Sequence, residues 1–120
     1  MGLPRSLVDV GGDIVVGAAP PGRDGWSVRM DRGFGGSDRV LVLEHAAVAT
    51  SGDRHQWVRS DGGERMGHLI DARTLSPAVN QRDITVVVHA DRNAAASADA
   101  LASIFTLVEP TRFDHCPEDL

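Results

Sequence analysis

The chain contains 120 residues and has a formal net charge of −5 at pH 7, from 17 acidic side chains against 12 arginines and no lysine. The absence of lysine excludes a phosphate-loop lysine, Schiff-base chemistry and a lysine general base. The acidic balance argues against binding of nucleic acid, which requires a cationic surface. The single cysteine, Cys116, excludes an internal disulfide, and the length predicts one domain.

The first half of the chain is predicted to form short β-strands separated by turns. Residues 7–16 are apolar around a Gly-Gly-Asp sequence, which predicts two short strands with a tight turn or one bulged strand. Alternating apolar and polar residues predict a half-buried strand over 26–30. A glycine-rich loop over 31–38 and a second strand over 39–44 follow it.

The next segments continue the same pattern. Residues 46–50 are apolar and run into a Ser-Gly-Asp turn signal. Residues 57–58 and 66–70 predict a hairpin, and residues 71–77 predict a loop. The segment 83–89 contains Ile-Thr-Val-Val-Val and predicts a buried strand.

The sequence changes to a helical period after Asn93. Four apolar residues have the spacing of one helical face: Leu101, Ile104, Phe105 and Val108. Asp91 or Asn93 can cap this helix, and Pro110 can end it. The whole pattern predicts an α+β fold, with a mainly antiparallel sheet of short strands covered by one C-terminal helix.

We expect residues 1–110 to form the domain and residues 111–120 to form a polar tail. The N-terminus lacks the apolar core of a signal peptide, and no stretch reaches the length of a membrane span. The sequence therefore predicts a cytoplasmic protein without a membrane span.

The predicted helix carries oxygen-bearing side chains that suit a hard cation. Asp99, Ser103 and Thr106 cluster on the side nearly opposite the apolar stripe. A carboxylate and a hydroxyl one turn apart can face Mg²⁺, which prefers oxygen ligands. The alternative interpretation is that these residues form the solvated face of an amphipathic helix.

Two strand ends supply further candidates. His68 can accept a proton near neutral pH, and Arg73 can pair with a phosphate. Alternatively, His68 is a hydrogen-bonded structural residue and Arg73 pairs with Asp71. Thr50, Ser51 and Gly52 can approach a polar ligand closely, or they can form an ordinary turn.

These segments together resemble the C-terminal half of the FAD:protein FMN transferase (ApbE-like) family. The resemblance spans about residues 8–108 and rests on six blocks in the family's order: Val8-Asp9-Val10-Gly11-Gly12-Asp13-Ile14, Trp26-Ser27-Val28-Arg29, Ala47-Val48-Ala49-Thr50-Ser51-Gly52-Asp53, His68-Leu69-Ile70-Asp71-Ala72-Arg73-Thr74, Ile84-Thr85-Val86 and Ala98-Asp99-Ala100-Leu101-Ala102-Ser103.

The resemblance implies a Mg²⁺-dependent enzyme that uses FAD as substrate, transfers FMN to a threonine or serine of a target flavoprotein and releases AMP. It assigns Asp99 and Ser103 to the metal and His68 to catalysis near the transferred phosphate. The residues that it implies for flavin binding are Thr50, Ser51, Gly52, Ile70 and Asp71.

The chain departs from the family pattern in two ways. Ala72 and Leu75 replace the usual proline and glycine after His68, and this change predicts a different loop path. The family's N-terminal half has no counterpart here, so we expect a second chain or a homodimer to supply it, or weak activity alone. The alternatives are a non-catalytic flavin-binding domain, a structural or interaction domain, and a truncated gene product.

Overall fold

The computed structural model describes residues 3–30, 39–78, 82–89 and 92–108. Within these ranges lie ten strands and one helix: β1 (Leu7–Val10), β2 (Asp13–Val16), β3 (Trp26–Met30), β4 (Arg39–Leu43), β5 (Ala46–Gly52), β6 (Trp57–Arg59), β7 (Arg65–Gly67), β8 (Ile70–Asp71), β9 (Ser76–Pro77), β10 (Asp83–His89) and α1 (Ala94–Leu107). The predicted α+β class is confirmed, since all the strand pairs are antiparallel and α1 follows them. The predicted loop over 31–38, the tail over 111–120 and the signals at Asp91 and Pro110 lie outside the described residues.

The central sheet has four strands in the order β1-β2-β5-β10. A tight turn joins β1 to β2, which is the first of the two arrangements that the sequence allowed. Gly11 and Gly12 have backbone φ angles of 66° and 103°, which residues with a Cβ atom rarely adopt. The two glycines therefore make the turn that brings Asp13 to the start of β2.

The central strand β5 is covered on both faces of the sheet. Residues directly opposite each other on paired strands share a face, so Val15, Ala47 and Val88 point to the same side. The helix α1 packs on this side against Ala47 and Ala49. The β3–β4 hairpin covers the other side through Val28 and Leu43. The core therefore consists of two thin layers, one on each side of β5.

The buried face of α1 differs from the predicted apolar stripe. Its buried residues are spaced by four and are mostly small: Ala94, Ala98, Ala102 and Thr106. The side chain of Ile104 is 51% exposed. The stripe prediction was wrong because alanine allows the helix to lie closer to the sheet than a row of larger side chains would.

The close approach of α1 to the sheet gives a stability prediction. Ala98 is completely buried, so Ala98→Leu is expected to lower the free energy of unfolding by about 1–3 kcal/mol through overpacking. Urea denaturation followed by circular dichroism measures this change. Ala96→Leu, on the exposed side of the same helix, is the matched control and is expected to leave stability nearly unchanged. Equal effects of the two substitutions would contradict the described packing.

The strand that the sequence predicted to be buried is only half-buried. Residues 83–89 form β10, which lies at an edge of the sheet. The central strand is the alanine-containing β5. It extends through Gly52, so Ser51 and Gly52 belong to a strand rather than to the predicted turn. Strands β8 and β9 form a short hairpin over 70–77, where the sequence predicted a loop over 71–77, so Ile70 pairs with Pro77 and not with residues near 57–58.

Candidate functional site

A cavity of about 450 Å³ lies where β2 begins and β5 ends. This volume is within the range of small-molecule sites. The start of β10, the strand β3, the helix α1 and the segments 54–56 and 68–69 also contribute to its wall. The cavity therefore gathers residues from both halves of the described chain.

The structure places most of the predicted site residues on this cavity. Those that line it are Thr50, Ser51, Gly52, His68, Asp99 and Ser103. Ile70 and Asp71 are not among its lining residues, and the Ile70 side chain is 53% exposed. The fold thus unites the helix residues, the β5 residues and the histidine, although up to 53 positions separate them in the sequence.

Hydroxyl groups connect α1 to β5 at the cavity. The Oγ atoms of Ser51 and Ser103 are 3.3 Å apart and form a hydrogen bond. The Thr106 hydroxyl donates to the carbonyl oxygens of Ser51 and Ala102, at 3.1 and 2.8 Å. Thr106 is buried, so its assignment to a solvated helix face was wrong. Its side chain holds the helix to the strand.

Asp13 lines the cavity, and the sequence offered its Gly-Gly-Asp segment only as a close backbone approach to a ligand or a bulge, with no role for the carboxylate. Burial raises the pKa of Asp13, and the negative charges of Asp99 and Asp9 raise it further. The repulsion between Asp13 and Asp99 is an electrostatic reason for a cation to be favoured beside them. The Gly-Gly-Asp turn was the available signal, but only the fold pairs residues 13 and 99.

The donors present near Asp99 fit a magnesium ion that keeps part of its water shell. No group of three or more His, Cys, Asp or Glu side chains in the described part of the chain can hold a metal ion. Mg²⁺ commonly uses only one or two carboxylates and completes its shell with waters and substrate phosphates. Asp13, Asp99 and the Ser103 hydroxyl, all on one cavity, are such a donor set.

His68 is oriented by a hydrogen bond to the backbone. Its Nδ1 atom lies 3.1 Å from the carbonyl oxygen of Gln56. Because a carbonyl oxygen only accepts, Nδ1 carries the proton in this bond, and Nε2 of the neutral ring retains its lone pair. The imidazole can therefore accept a proton at Nε2.

Arginines form a second set of cavity residues that the sequence reasoning did not identify. Arg29 of β3 and Arg54, just beyond β5, both line the cavity. Their chemistry was signalled only by the absence of lysine, which leaves guanidinium groups as the strong cationic donors. Arg29 lies in one of the six blocks that resemble the family, but no role was assigned to it there, and nothing in the sequence distinguishes Arg54 from the other arginines.

Arg73 forms an ion pair with Asp71, which is the second of the two interpretations that the sequence allowed for Arg73. Arg73 donates from Nη2 and Nε to the two carboxylate oxygens of Asp71, at 2.7 and 3.0 Å. The Arg73 backbone N–H also donates to this carboxylate. These bonds lower the pKa of Asp71 to about 2.

The ion pair predicts the pH dependence of Asp71. The pKa of Asp71 in the folded protein lies below its ordinary value of 3.8. The ion pair is therefore fully formed above pH 3.8 and is lost as the pH falls through about 2. Arg73→Gln is expected to raise the pKa of Asp71 part of the way back to 3.8, because the hydrogen bond from the backbone N–H of residue 73 remains. Carboxyl-detected NMR titration measures both values. An unchanged pKa in Arg73→Gln would contradict the assigned cause.

None of the described helices is long and apolar enough to cross a membrane.

Comparison with known proteins identifies the chain's relatives. The ApbE family matches over residues 1–118. The crystal structure of the ApbE protein from Thermotoga maritima has 27% sequence identity and a TM-score of 0.74, with 90% of this chain and 34% of that chain covered. The apo structure of the flavinyl transferase ApbE from Pseudomonas stutzeri has 22% identity and a TM-score of 0.67, with 84% and 30% covered, and supports the fold.

No curated protein matches the chain. The chain spans about a third of the length of the two solved relatives. The family match nevertheless extends over nearly all of its 120 residues. The chain therefore belongs to the ApbE family.

Proposed function

We propose that this chain contributes to a Mg²⁺-dependent transfer of FMN from FAD to a threonine or serine hydroxyl of a target flavoprotein, with release of AMP. The observation that carries the proposal is the convergence of Asp99, Ser103 and His68 on one cavity in a member of the ApbE family. The Pseudomonas stutzeri relative is a flavinyl transferase, which supports the same class of reaction.

Asp99, Asp13 and Ser103 would hold the magnesium ion. The Asp99 carboxylate and the Ser103 hydroxyl lie one helical turn apart, and Asp13 faces the same cavity from β2. A bound magnesium ion would neutralise charge on the diphosphate of FAD. The hydrogen bond between Ser51 and Ser103 restrains the orientation of the Ser103 hydroxyl.

His68 would serve as the general base. The hydroxyl oxygen of the target residue forms a bond to the phosphorus of the FMN portion, and the bond between this phosphorus and the oxygen of AMP breaks. The hydroxyl proton passes to Nε2 of His68, while the Nδ1 proton stays in its bond to the Gln56 carbonyl. This single proton acceptor suits phosphoryl transfer, in which positioning and charge stabilisation dominate.

We further propose that the remaining portion of the ApbE fold packs beside α1 on the sheet. Val8 and Val10 share the helix-facing side of the sheet with Asp13. They are 53% and 71% exposed, whereas α1 covers β5 and β10. A chain segment placed over these valines would lie next to Asp13 and Asp99, and it would close the cavity against water.

Flavin fluorescence tests the proposal. The wild-type protein is expected to bind FAD more tightly when Mg²⁺ is present, and chromatography is expected to detect AMP when an acceptor protein is added. Asp99→Asn is expected to remove the effect of Mg²⁺ on FAD binding. Asp24→Asn, an equal loss of charge at an exposed turn outside the cavity, is the control. Absence of FAD binding by the wild type, with and without Mg²⁺, would refute the proposed function.

A further inference from the structure

Three consecutive polar residues, Arg54, His55 and Gln56, line the cavity just after β5, and we call them the 54–56 segment. Its backbone is held at both ends. Arg65 donates from Nη2 to the carbonyl oxygens of Asp53 and Arg54, at 2.6 and 3.2 Å. His68 donates to the carbonyl oxygen of Gln56 at the other end.

The residues that hold the 54–56 segment are themselves packed. The guanidinium of Arg65 lies 5.0 Å from the centre of the Trp57 ring, at the distance of a cation–π contact. The Asp53 side chain is 7% exposed, and its Cβ lies 3.1 Å from the position that a Cβ at Gly67 would take. The segment is therefore a fixed part of the cavity wall.

The charges around the cavity are divided between two kinds of group. The acidic lining residues are Asp13 of β2, Asp83 of β10 and Asp99 of α1, whereas the arginines that line the cavity are Arg54 of the 54–56 segment and Arg29 of β3. A dianionic diphosphate needs cationic donors in addition to a metal ion. Guanidinium groups bind phosphate oxygens in a bidentate geometry, and the chain has no lysine to replace them.

We propose that the 54–56 segment is the diphosphate-binding wall of the cavity and that Arg54 donates to the diphosphate oxygens of FAD. This inference rests on the proposed function for the identity of the ligand. Arg65 is a positioning residue, since it acts through the backbone of residues 53 and 54. The hydrogen bond from His68 to the Gln56 carbonyl oxygen attaches the proposed general base to the 54–56 segment, which is the proposed diphosphate-binding wall.

Calorimetry with three probes in the presence of Mg²⁺ tests the role of Arg54. The probes are FAD, inorganic pyrophosphate and riboflavin, which has no phosphate. Arg54→Ala is expected to weaken binding of FAD and pyrophosphate by about tenfold to a hundredfold. Its affinity for riboflavin is expected to equal that of the wild type. Arg54→Lys, which keeps the charge, is expected to recover part of the loss.

Arg23→Ala is the matched control, because Arg23 is exposed in the turn before β3 and does not line the cavity. It removes the same charge and is expected to leave all three affinities unchanged. The inference is overturned if Arg54→Ala behaves like Arg23→Ala, if it weakens riboflavin binding as strongly as FAD binding, or if the wild type binds no pyrophosphate.

Failure of the inference and failure of the proposed function give different results. Arg54-dependent pyrophosphate binding without AMP release from FAD in the presence of acceptor would retain the diphosphate wall and reject the transfer reaction. AMP release that is equal in the wild type and Arg54→Ala would retain the transfer reaction and reject the role of Arg54.

Discussion

Replacing Gly52 with alanine is expected to lower the free energy of unfolding by about 3 kcal/mol, at the upper end of the usual cost of overpacking. A Cβ at this position would lie 2.7 Å from the carbonyl oxygen of Arg82 and 2.9 Å from the Cα of Asp83, and it would also meet the Asp83 carboxylate. Backbone atoms cannot move away as the end of a flexible side chain can. The strands β5 and β10 must therefore separate where Gly52 pairs with Asp83.

Gly62→Ala is the control for this substitution. A Cβ at Gly62 would have its nearest contact at 3.7 Å, with the Ser60 hydroxyl. Urea denaturation of both variants measures the difference, and equal stabilities would show that β5 and β10 do not require the glycine.

The Gly52→Ala substitution is also expected to affect the cavity, because the cavity residue Ser51 precedes Gly52 on the same strand. We expect weaker FAD binding in Gly52→Ala even under conditions where the variant remains folded.

His68→Ala is expected to lower the rate of AMP release from FAD by about 10²- to 10⁴-fold, the usual contribution of a general base. The substitution removes the proton acceptor at Nε2 and also the donor to the Gln56 carbonyl. Because Arg65 still holds the other end of the 54–56 segment, FAD affinity is expected to change much less than the rate. Rate and affinity are measured separately, by chromatography of AMP and by flavin fluorescence.

His89→Ala provides the matched control, since His89 lies at the exposed end of β10 and does not line the cavity. Added imidazole is expected to restore part of the rate of His68→Ala, which a purely structural role would not allow. A wild-type rate in His68→Ala would exclude His68 as the base. An equal loss of FAD affinity would instead assign it to holding the 54–56 segment.

Local sequence signals were sufficient for much of the fold. Glycine pairs, alternating strands and the period of the final helix located most of the elements, because each signal acts within a few residues. The paired glycines before Asp13 are one example, since their positive φ angles close a two-residue turn. Six of the predicted site residues also line one cavity, although their chemical roles stay predictions.

Features that depend on distant contacts could not be predicted in this way. The buried faces of β5 and α1 are built from alanines, whose hydrophobicity is too weak to mark a core. Asp13 and Arg54 acquire their importance only from neighbours that the fold supplies. Conversely, Ile70 and Asp71 lie only two and three positions after His68 in the sequence, but they belong to the β8–β9 hairpin and do not line the cavity.

The Thr106 hydroxyl has a consequence for how the cavity would respond to a ligand. By joining α1 to the Ser51 carbonyl, it prevents the helix from sliding along the sheet without breaking a buried hydrogen bond. We therefore expect Asp99 and Ser103 to keep their spacing from β5 when the cavity is filled. Preorganised donors need little rearrangement on binding, so the free energy of ligand contact is retained as affinity. Thr106 thus adds to the rigidity of the site, together with the Ser51–Ser103 hydrogen bond, although no ligand needs to touch it.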